Sequence, residues 1–236
     1  MAIVFRGNIK VSIVIPCFNS HEAVRRQVLY FHLQDLPPDV EIILMDDGSD
    51  PPLKPLAIDC KNLNIYPTGD FRPWTQTAAK NLGVKIAEGE YVFITDIDHI
   101  ITRDALEAVR NFDGDKMVFP RQWGVITEEG IVTQDKDVLM DYGMREIDWI
   151  RKGVNHYIHT NTYAMKRSVY IQIGGYDPVF AEMQKHDIYD DNWLYGRYRR
   201  EVKIGKAKPA VEGPPIFTFP GTVKNLKGLF HNMGFR

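Results

Sequence analysis

Two carboxylates stand one residue apart directly after an apolar run of the sequence. Asp96 and Asp98 follow Tyr91–Ile94, a run with the composition of a buried strand. In an extended chain, side chains at positions i and i+2 point to the same side, so we expect both carboxylates to converge beyond the strand end. Two close carboxylates repel each other unless they share a proton or a cation. Mg²⁺ or Mn²⁺ suits such a pair, because either ion takes oxygen ligands and leaves room for phosphate oxygens.

An isolated pair of this kind is more often a solvated acidic turn. Two further segments change that balance, because "PCFN" (16–19) and "MDDGS" (45–49) also follow apolar runs that predict strands. In open α/β sheets, ligands gather at the carboxyl ends of the strands. Three polar strand ends at one edge of one sheet therefore predict a shared cleft.

The elements that must position these residues alternate along the first half of the chain. Strands are predicted over 11–16, 40–49, 62–66, 90–96 and 116–120, and helices over 21–35, 73–89, 167–177 and 190–200. Gly89 is the expected end of the second helix. This order implies an α/β fold with a largely parallel sheet covered on both faces. The segment 121–160 has no clean period, and the tail from Pro209 is expected to form a loop.

Composition restricts the class of protein. The 236 residues include 29 basic and 31 acidic side chains, so no electrostatic argument favours nucleic-acid binding. No run reaches the ~20 apolar residues of a membrane span, and the N-terminus does not resemble a signal peptide. Two cysteines, Cys17 and Cys60, suggest neither a disulfide framework nor a zinc site. We therefore expect a soluble cytoplasmic protein, for which peripheral contact with a membrane remains open.

Five segments, in order and spacing, resemble the glycosyltransferases of family 2, which have the GT-A fold. They are "VSIVIPCFNS" (11–20), "EIILMDDGSD" (41–50), "AAKNLGVKIAEGEYVFITDID" (78–98), "IGGYD" (173–177) and "YDDNWLYGR" (189–197). The resemblance implies a single GT-A domain with a Rossmann-like, mostly parallel sheet. Its nucleotide-sugar-binding half would cover about 10–115, and its acceptor-binding half with the tail would cover about 116–236.

The resemblance also implies which residues bind the nucleotide. The base would lie against Pro16, Phe18, Asn19 and Asp47, and the Asp47 carboxylate would accept a hydrogen bond from a base N–H. Asp46 would be structural. The helix beside the nucleotide would contribute Asn81 with Gly83, and the diphosphate would be contacted by Lys80 and Arg72. For Arg72, a solvated surface position is an equal alternative.

The metal site implied by the resemblance centres on Asp98. Asp96 would contact the ribose or the water shell of a Mn²⁺ or Mg²⁺ ion. In the tail, "HNMGFR" (231–236) resembles a C-terminal His-x-x-Gly-x-Lys pattern, with Arg in place of Lys. His231 could be a third metal ligand and Arg236 could reach the diphosphate, with a frayed terminus as the alternative. His99 is expected to support the loop.

The catalytic base implied by the resemblance is Asp191, with its neighbour Asp190 as the alternative. Adjacent residues of a helix do not share a face, so only one can aim at the acceptor. Two acids at a helix N-terminus could instead simply complement the macrodipole. Gly174 and Gly175 would form the floor beside the donor sugar, although two glycines also end helices.

The implied reaction is a metal-dependent, inverting transfer of a sugar from a nucleoside diphosphate, by family frequency UDP, to a glycan or glycoconjugate hydroxyl. Acceptor specificity is expected within 121–160, which contains the aromatic and histidine residues Trp123, Trp149, His156, Tyr157 and His159. A sugar-nucleotide nucleotidyltransferase is the first alternative, but "PCFNSHEAVRR" contains no glycine for a triphosphate loop. A non-catalytic nucleotide-sugar-binding module is the second, and the presence of both Asp98 and Asp191 argues against it.

Overall fold

The computed structural model describes residues 8–72, 75–155, 160–183 and 189–219 of the chain. The strands of these ranges are β1 (Val11–Cys17), β2 (Val40–Asp46), β3 (Leu63–Pro67), β4 (Tyr91–Ile94), β5 (His99–Ile100), β6 (Lys116–Val118), β7 (Arg121–Trp123), β8 (Val125–Ile126), β9 (Val132–Thr133), β10 (Tyr163–Lys166), β11 (Val211–Glu212) and β12 (Ile216–Thr218). Their helices are α1 (His21–Leu33), α2 (Gln76–Ile86), α3 (Arg103–Arg110), α4 (Lys136–Asp141), α5 (Glu146–Lys152), α6 (Arg167–Gln172), α7 (Val179–Met183) and α8 (Tyr189–Lys203).

The central sheet has seven strands in the order β11-β6-β10-β4-β1-β2-β3. Neighbouring strands from β4 to β3 run parallel, and only β10 is antiparallel to the strands on both of its sides. This arrangement confirms the expected α/β fold with a mostly parallel sheet. Strands from both expected halves of the chain share the sheet, because β10 and β6 continue it beyond β4.

Two layers of helices cover the sheet, as the continuously apolar strands predict. On one face, Ile13 of β1 belongs to the same buried cluster as Val24 of α1. On the other face, Val14 clusters with Ala79 of α2. Helix α2 approaches β1 closely, since a Cβ on Gly83 would lie 2.4 Å from Val14 Cγ1. The close packing holds the polar residues of α2 against the sheet edge.

One edge of the sheet collects the loops that the sequence singles out. Strands β1, β2 and β4 are parallel neighbours, so the residues after Cys17, Asp46 and Ile94 emerge at that edge. Because β10 is antiparallel, with Tyr163 paired to Ile94, the residues preceding Tyr163 reach the same edge. The fold therefore brings segments from distant parts of the sequence to one place.

The prediction that the tail from Pro209 forms a loop is wrong for the part that the structure describes, residues 209–219. Residues beyond Pro209 form β11, which pairs with β6, and β12, which pairs with both β5 and β7. The Phe219 N–H also donates to the Asp98 carbonyl at 3.0 Å. The tail therefore braces the loop that carries Asp98.

Helix α2 is shorter than predicted. It ends at Ile86, with Ala87 as its C-cap, rather than at Gly89. Gly89 instead donates its N–H to Ser12 Oγ at 2.8 Å, in a space too small for a Cβ. No helix of the described ranges is long and apolar enough to cross a membrane.

Candidate active site

The loops after β1 and β2 are held mainly by their own backbone groups. Asp46 Oδ1 accepts from the Ser49 N–H at 3.0 Å, and its Oδ2 accepts from the Leu53 N–H at 2.8 Å. These bonds use both oxygens within the loop, in agreement with the structural role expected of Asp46. Gly48 has a φ of +84°, and a Cβ there would lie 2.4 Å from the Asp70 carbonyl oxygen, so the turn requires glycine.

Asn19 joins the two loops. Its N–H donates to Ser49 Oγ at 2.9 Å, and its Oδ1 accepts from the Asp50 N–H at 2.7 Å. Its φ of 49° lies in the left-handed region, which asparagine tolerates better than most residues. Pro16 is buried within β1, and Phe18 is half-buried just beyond it. The Oδ1 atom of Asn19 is thus used to hold the loop after β2.

Asp47 is buried and points to neutral donors. Its Oδ1 accepts from Thr75 Oγ1 at 2.7 Å and from Thr68 Oγ1 at 3.4 Å. Burial raises the pKa of Asp47 to about 6, although both hydroxyls act in the opposite direction. A carboxylate in this state can exchange its proton near neutral pH and can accept a base N–H when it is ionised.

Arg72 is already paired with acids. Its guanidinium contacts Asp70 Oδ2 at 2.6 Å and Glu182 Oε2 at 2.8 Å, and its side chain is 39% exposed. The hydrogen bonds that Arg72 donates to Asp70 and Glu182 raise its pKa. The two carboxylates neutralise its charge, so a diphosphate would have to displace at least one of them.

A buried lysine connects the Asp96 loop to helix α8. Lys80 Nζ lies 3.0 Å from Asp96 Oδ1 and 3.9 Å from Asp191 Oδ1, and its side chain is 1% exposed. The ammonium is ion-paired with Asp96, and it lies near Asp191 without reaching hydrogen-bond distance of it. We call Lys80, Asp96, Asp190 and Asp191 the acid cluster. Two of the five segments quoted from the sequence, 78–98 and 189–197, therefore meet at one side chain.

The charges within the acid cluster, rather than its burial from solvent, determine the protonation states of Lys80 and Asp96. Burial disfavours the charged form of Lys80, but Asp96, Asp191 and Asp190 together hold the pKa of its ammonium above the ordinary value. Burial likewise disfavours the Asp96 carboxylate, yet the Lys80 charge holds its pKa below the ordinary value. Lys80 and Asp96 are therefore both ionised at neutral pH.

The two carboxylates of the Asp-x-Asp pair differ in how far they are free to bind a further ligand. Asp96 Oδ2 accepts from Asn161 Nδ2 at 2.5 Å while its Oδ1 faces Lys80, so both of its oxygens are engaged. The Asp98 side chain is 41% exposed. Strand β4 ends at Ile94, so the pair lies in a turn rather than in the extended chain that the sequence predicts. The pair still converges, because one oxygen of each carboxylate lies within 4.8 Å of the other.

His99 also lies within 4.8 Å of these oxygens, but its ring is occupied. Its Nε2 lies 2.7 Å from Arg121 Nη1, which can only donate, so Nε2 accepts and the proton is on Nδ1. The Nδ1–H then donates to Thr162 Oγ1 at 3.0 Å. Burial holds the pKa of His99 below its ordinary value, consistent with a neutral ring. No lone pair is left for a metal, and the geometry favours the supporting role expected of His99.

Helix α8 presents both of its first-turn acids to the interior. Asp191 is 6% exposed, and its Oδ1 accepts from Tyr176 Oη at 2.7 Å. Asp190 is 5% exposed, and its Oδ1 accepts from the Asp191 N–H at 2.6 Å. Burial, and next the Asp191 charge, raise the pKa of Asp190 to about 6. Within the described ranges, Asp191 Oδ2 receives no hydrogen bond, which leaves it for another donor.

Asn81 and the two glycines form a structural joint beside the cluster. Asn81 Oδ1 accepts from Tyr170 Oη at 2.7 Å and from the Tyr176 N–H at 3.0 Å, while its Nδ2 donates to the Tyr176 carbonyl. Gly174 and Gly175 both have positive φ and end α6. A Cβ on Gly175 would lie 2.6 Å from Asn81 Oδ1. The joint fixes Tyr176 under Asp191, and it leaves one N–H of Asn81 Nδ2 without a bond to the residues of this joint.

Sequence reasoning missed several residues that hold these groups. Asn161 engages Asp96, Tyr176 engages Asp191, and Thr75 engages Asp47. Tyr176 lies within a motif quoted above, and Thr75 lies in the first turn of the helix predicted over 73–89, but nothing in the sequence marks Asn161. The predicted residues His231 and Arg236, and the aromatic segment 156–159, lie outside the described residues.

A cavity of about 460 Å³ lies away from the acid cluster, between α1, the loop after β2, and β3. Its lining is mostly apolar, with Pro52, Leu53, Pro55 and Leu56 on the loop side. It shares Asp46 and Leu53 with the loop after β2 and no residue with the acid cluster. Side-chain chemistry rather than cavity volume therefore locates the site.

Comparison with known proteins agrees with this geometry. The family model described as Glycosyl transferase family 2 matches residues 12–174, more than half of the chain. The chain belongs to glycosyl transferase family 2. The match includes the loops after β1, β2 and β4, helix α2, and Gly174.

Relatives and solved structures of this kind share part of their length with the chain. The poly(ribitol-phosphate) β-N-acetylglucosaminyltransferase TarP of Staphylococcus aureus is 29% identical over 106 residues, which cover 44% of this chain and 32% of TarP. The mannosyltransferase PcManGT of Pyrobaculum calidifontis, solved with GDP-Man and Mn²⁺, superposes with a TM-score of 0.56 at 16% identity. That superposition covers 92% of this chain and 58% of PcManGT.

A second solved structure, S. aureus TarS 1-349 in complex with UDP-GlcNAc, gives the same TM-score at 14% identity and covers 89% of this chain and 58% of that one. These superpositions confirm the expected GT-A fold. The chain spans less than two thirds of the length of TarP, PcManGT and TarS 1-349.

Proposed function

We propose that this chain transfers a sugar from a nucleoside-diphosphate donor, a UDP-sugar, to a hydroxyl group of a glycan or glycoconjugate, with inversion at the anomeric carbon. The contact of Lys80 with both Asp96 and Asp191 carries this proposal. Asp96 belongs to the loop expected to hold the donor, and Asp191 belongs to the helix expected to activate the acceptor. A donor–acceptor reaction needs these two groups at one place, and a binding module does not.

The donor is proposed to lie along the edge formed by the loops after β1, β2 and β4. Asp47 would accept from the base, which sits against Pro16, Phe18 and Asn19. Lys80 has N–H groups left for a phosphate oxygen, because an ammonium carries three donors. TarS binds UDP-GlcNAc, which supports a UDP-sugar, while PcManGT binds GDP-Man and makes a GDP-sugar the comparison to test.

A divalent ion fits the exposed end of this edge. The acid cluster holds one cation against three carboxylates, and Asp98 adds a further exposed carboxylate beside it. Asp98 would hold Mn²⁺ or Mg²⁺, and Asp96, whose oxygens are engaged, would act through the water shell. When bound, the ion supplies positive charge that stabilises the negative charge on the departing diphosphate. PcManGT was solved with Mn²⁺, in agreement with this assignment.

Asp191 is proposed to be the general base. Tyr176 and Lys80 fix its Oδ1, and its Oδ2 would accept the proton of the acceptor hydroxyl as that oxygen attacks the anomeric carbon. The bond from the anomeric carbon to the β-phosphate oxygen breaks on the opposite side, which inverts the configuration. The nucleoside diphosphate keeps the electron pair of that bond.

Incubation of the protein with Mn²⁺ and a panel of UDP- and GDP-sugars tests the proposal. Slow hydrolysis of one donor, and transfer when glycans are added, is the expected result. Pyrophosphate-dependent turnover would favour the nucleotidyltransferase alternative. Tight donor binding without hydrolysis or transfer to any acceptor of the panel would favour the binding module.

Asp98→Ala tests the metal assignment separately. We expect calorimetric donor binding in Mn²⁺ to fall to the level measured in EDTA, because the exposed ligand is lost. Asp104→Ala, an exposed aspartate in the first turn of α3, is the matched control and should keep the Mn²⁺ response. Donor binding that remains Mn²⁺-dependent in Asp98→Ala would remove Asp98 from the metal site.

A further inference from the structure

A second buried lysine lies beneath helix α8, outside the groups assigned above. Lys116 begins β6, is 1% exposed, and forms no ion pair within 4 Å among the residues that the structure describes. Its ammonium lies 4.4 Å from the ring centroid of Tyr163, 4.9 Å from that of Tyr195 and 5.2 Å from that of Tyr198. Three aromatic faces thus replace the carboxylate that a buried ammonium ordinarily requires.

The tyrosines of this cage connect two elements to the base. Tyr195 and Tyr198 belong to α8, which begins with Asp190 and Asp191, and Tyr163 belongs to β10. Tyr163 Oη donates to Tyr176 Oη at 3.4 Å, and Tyr176 Oη donates to Asp191 Oδ1 at 2.7 Å. Lys116 therefore sits at the other end of a short chain of contacts that ends on the proposed base.

The charge of Lys116 also interacts with the Asp191 carboxylate. Burial lowers the pKa of Lys116 to about 8, and the Asp191 carboxylate is the charge that acts in the opposite direction. An apolar residue would fill the space beneath α8 without this penalty, so the retained ammonium points to an electrostatic purpose.

We propose that Lys116 is a positioning residue for Asp191: its caged ammonium fixes the register of α8 on β6 and β10 and supplies the second buried positive charge for the Asp190–Asp191 pair. This inference rests on the proposed function, in which Asp191 is the base. It goes beyond that function by assigning a role to a side chain outside the loops after β1, β2 and β4 and outside the acid cluster.

Several charged or titratable groups face Asp191 in addition to Lys116. They are Lys80 of α2, Tyr170 of α6, Tyr176 after α6, Tyr163 of β10 and Asp190 of α8. Lys80 and Lys116 are the two cations of this set, and they approach the acids from different elements. Removal of Lys116 should therefore weaken, without abolishing, the positive field at Asp191.

Lys116→Met removes the charge and keeps the length of the side chain. We expect kcat for donor turnover to fall about tenfold with an unchanged KM for the donor, because α8 and not the donor site is disturbed. The acid limb of the pH–rate profile should move up by as much as about one pH unit, since losing a nearby cation disfavours the ionised base. Lys116→Arg, which keeps the charge, should keep the acid limb in place. Lys203→Met, on the exposed end of α8, is the matched control.

A loss of kcat with the same acid limb in Lys116→Met and wild type would reduce Lys116 to a packing role and overturn the proposal, as would unchanged kinetics. A wild-type protein that turns over no donor would defeat the proposed function instead. The coupling remains measurable then from the urea midpoints of Lys116→Met, Asp191→Asn and the double variant. The double variant should lose less than the sum of the single losses, and additive losses would refute the coupling of Lys116 to Asp191. If Lys116→Met does not fold, the cycle is run with Lys116→Gln, which also removes the charge and should show the same non-additivity with Asp191→Asn.

Discussion

The loops after β1 and β2 and the acid cluster stabilise carboxylates in opposite ways. In the loops, Asp46 is bound by backbone N–H groups and Asp47 by threonine hydroxyls, and no cationic side chain of the described residues pairs with either. In the cluster, Asp96 and Asp191 share the ammonium of Lys80. Neutral donors leave the pKa of buried Asp47 raised to about 6, whereas the buried cation holds that of Asp96 below its ordinary value.

This difference determines how each region responds to a change. A carboxylate with neutral donors can be replaced by an amide with little electrostatic consequence, because no opposite charge is left behind. A charged member of a buried ion cluster cannot be replaced in this way, because the replacement leaves its partners as buried charges without a counter-charge. We therefore expect substitutions in the loops to alter donor binding alone, and substitutions in the cluster to alter catalysis or folding.

Asp191→Asn should give the largest effect. The amide keeps the contact with Tyr176 but cannot accept the acceptor proton, so transfer should fall by ~10²–10⁴-fold. Donor binding should survive, because the base does not hold the nucleotide. Initial transfer rates and calorimetric donor titration measure the two quantities, with Glu201→Gln in the last turn of α8 as the control. Near-normal transfer by Asp191→Asn would show that another group is the base.

Lys80→Met should affect folding as well as catalysis. It leaves Asp96, Asp190 and Asp191 without their shared cation, a loss of about 3–5 kcal/mol in the free energy of unfolding at neutral pH. Urea denaturation measures this loss. Lys85→Met, exposed on the same helix, should cost less than about 0.5 kcal/mol. If both variants lose the same stability, the cluster does not depend on Lys80, and the contrast with the loops fails.

The loops are the part of the site that the sequence predicts best. The structural role of Asp46 follows from bonds to Ser49 and Leu53, a few residues further along the chain, and a short Asp-Asp-Gly-Ser segment is typical of such a turn. Strand and helix positions in the first half follow from apolar periodicity, which is also a local property. Local patterns therefore sufficed for the order of strands and helices in the first half of the chain and for the sheet edge at which these loops lie.

The acid cluster shows what local patterns do not contain. That Lys80 would be buried against Asp96 and Asp191 depends on α2, β4 and α8 meeting, and the sequence predicted only a lysine facing the cleft. Asn161 reaches Asp96 because β10 is antiparallel to β4. No feature of the sequence near residue 161 predicts that pairing. The tail was expected to be a loop for the same reason, since the partners of β12 lie in β5 and β7.

Asp47→Asn gives the smallest expected effect and tests the neutral side of the comparison. With a pKa of about 6, wild-type Asp47 is mostly ionised at pH 7.5 and mostly protonated at pH 5, so donor affinity should fall about tenfold between these values. The variant should bind the donor about tenfold more weakly at pH 7.5 and show no such pH dependence.

The folded-state pKa of Asp47 lies above the ordinary 3.8, so the stability linked to Asp47 is fully present below pH 3.8 and is lost as pH rises through about 6. The melting temperature of Asp47→Asn at pH 7.5 should therefore not fall, as it should not for the exposed control Asp59→Asn. A large loss of stability in Asp47→Asn alone would mean that Asp47, like the acid cluster, depends on its negative charge.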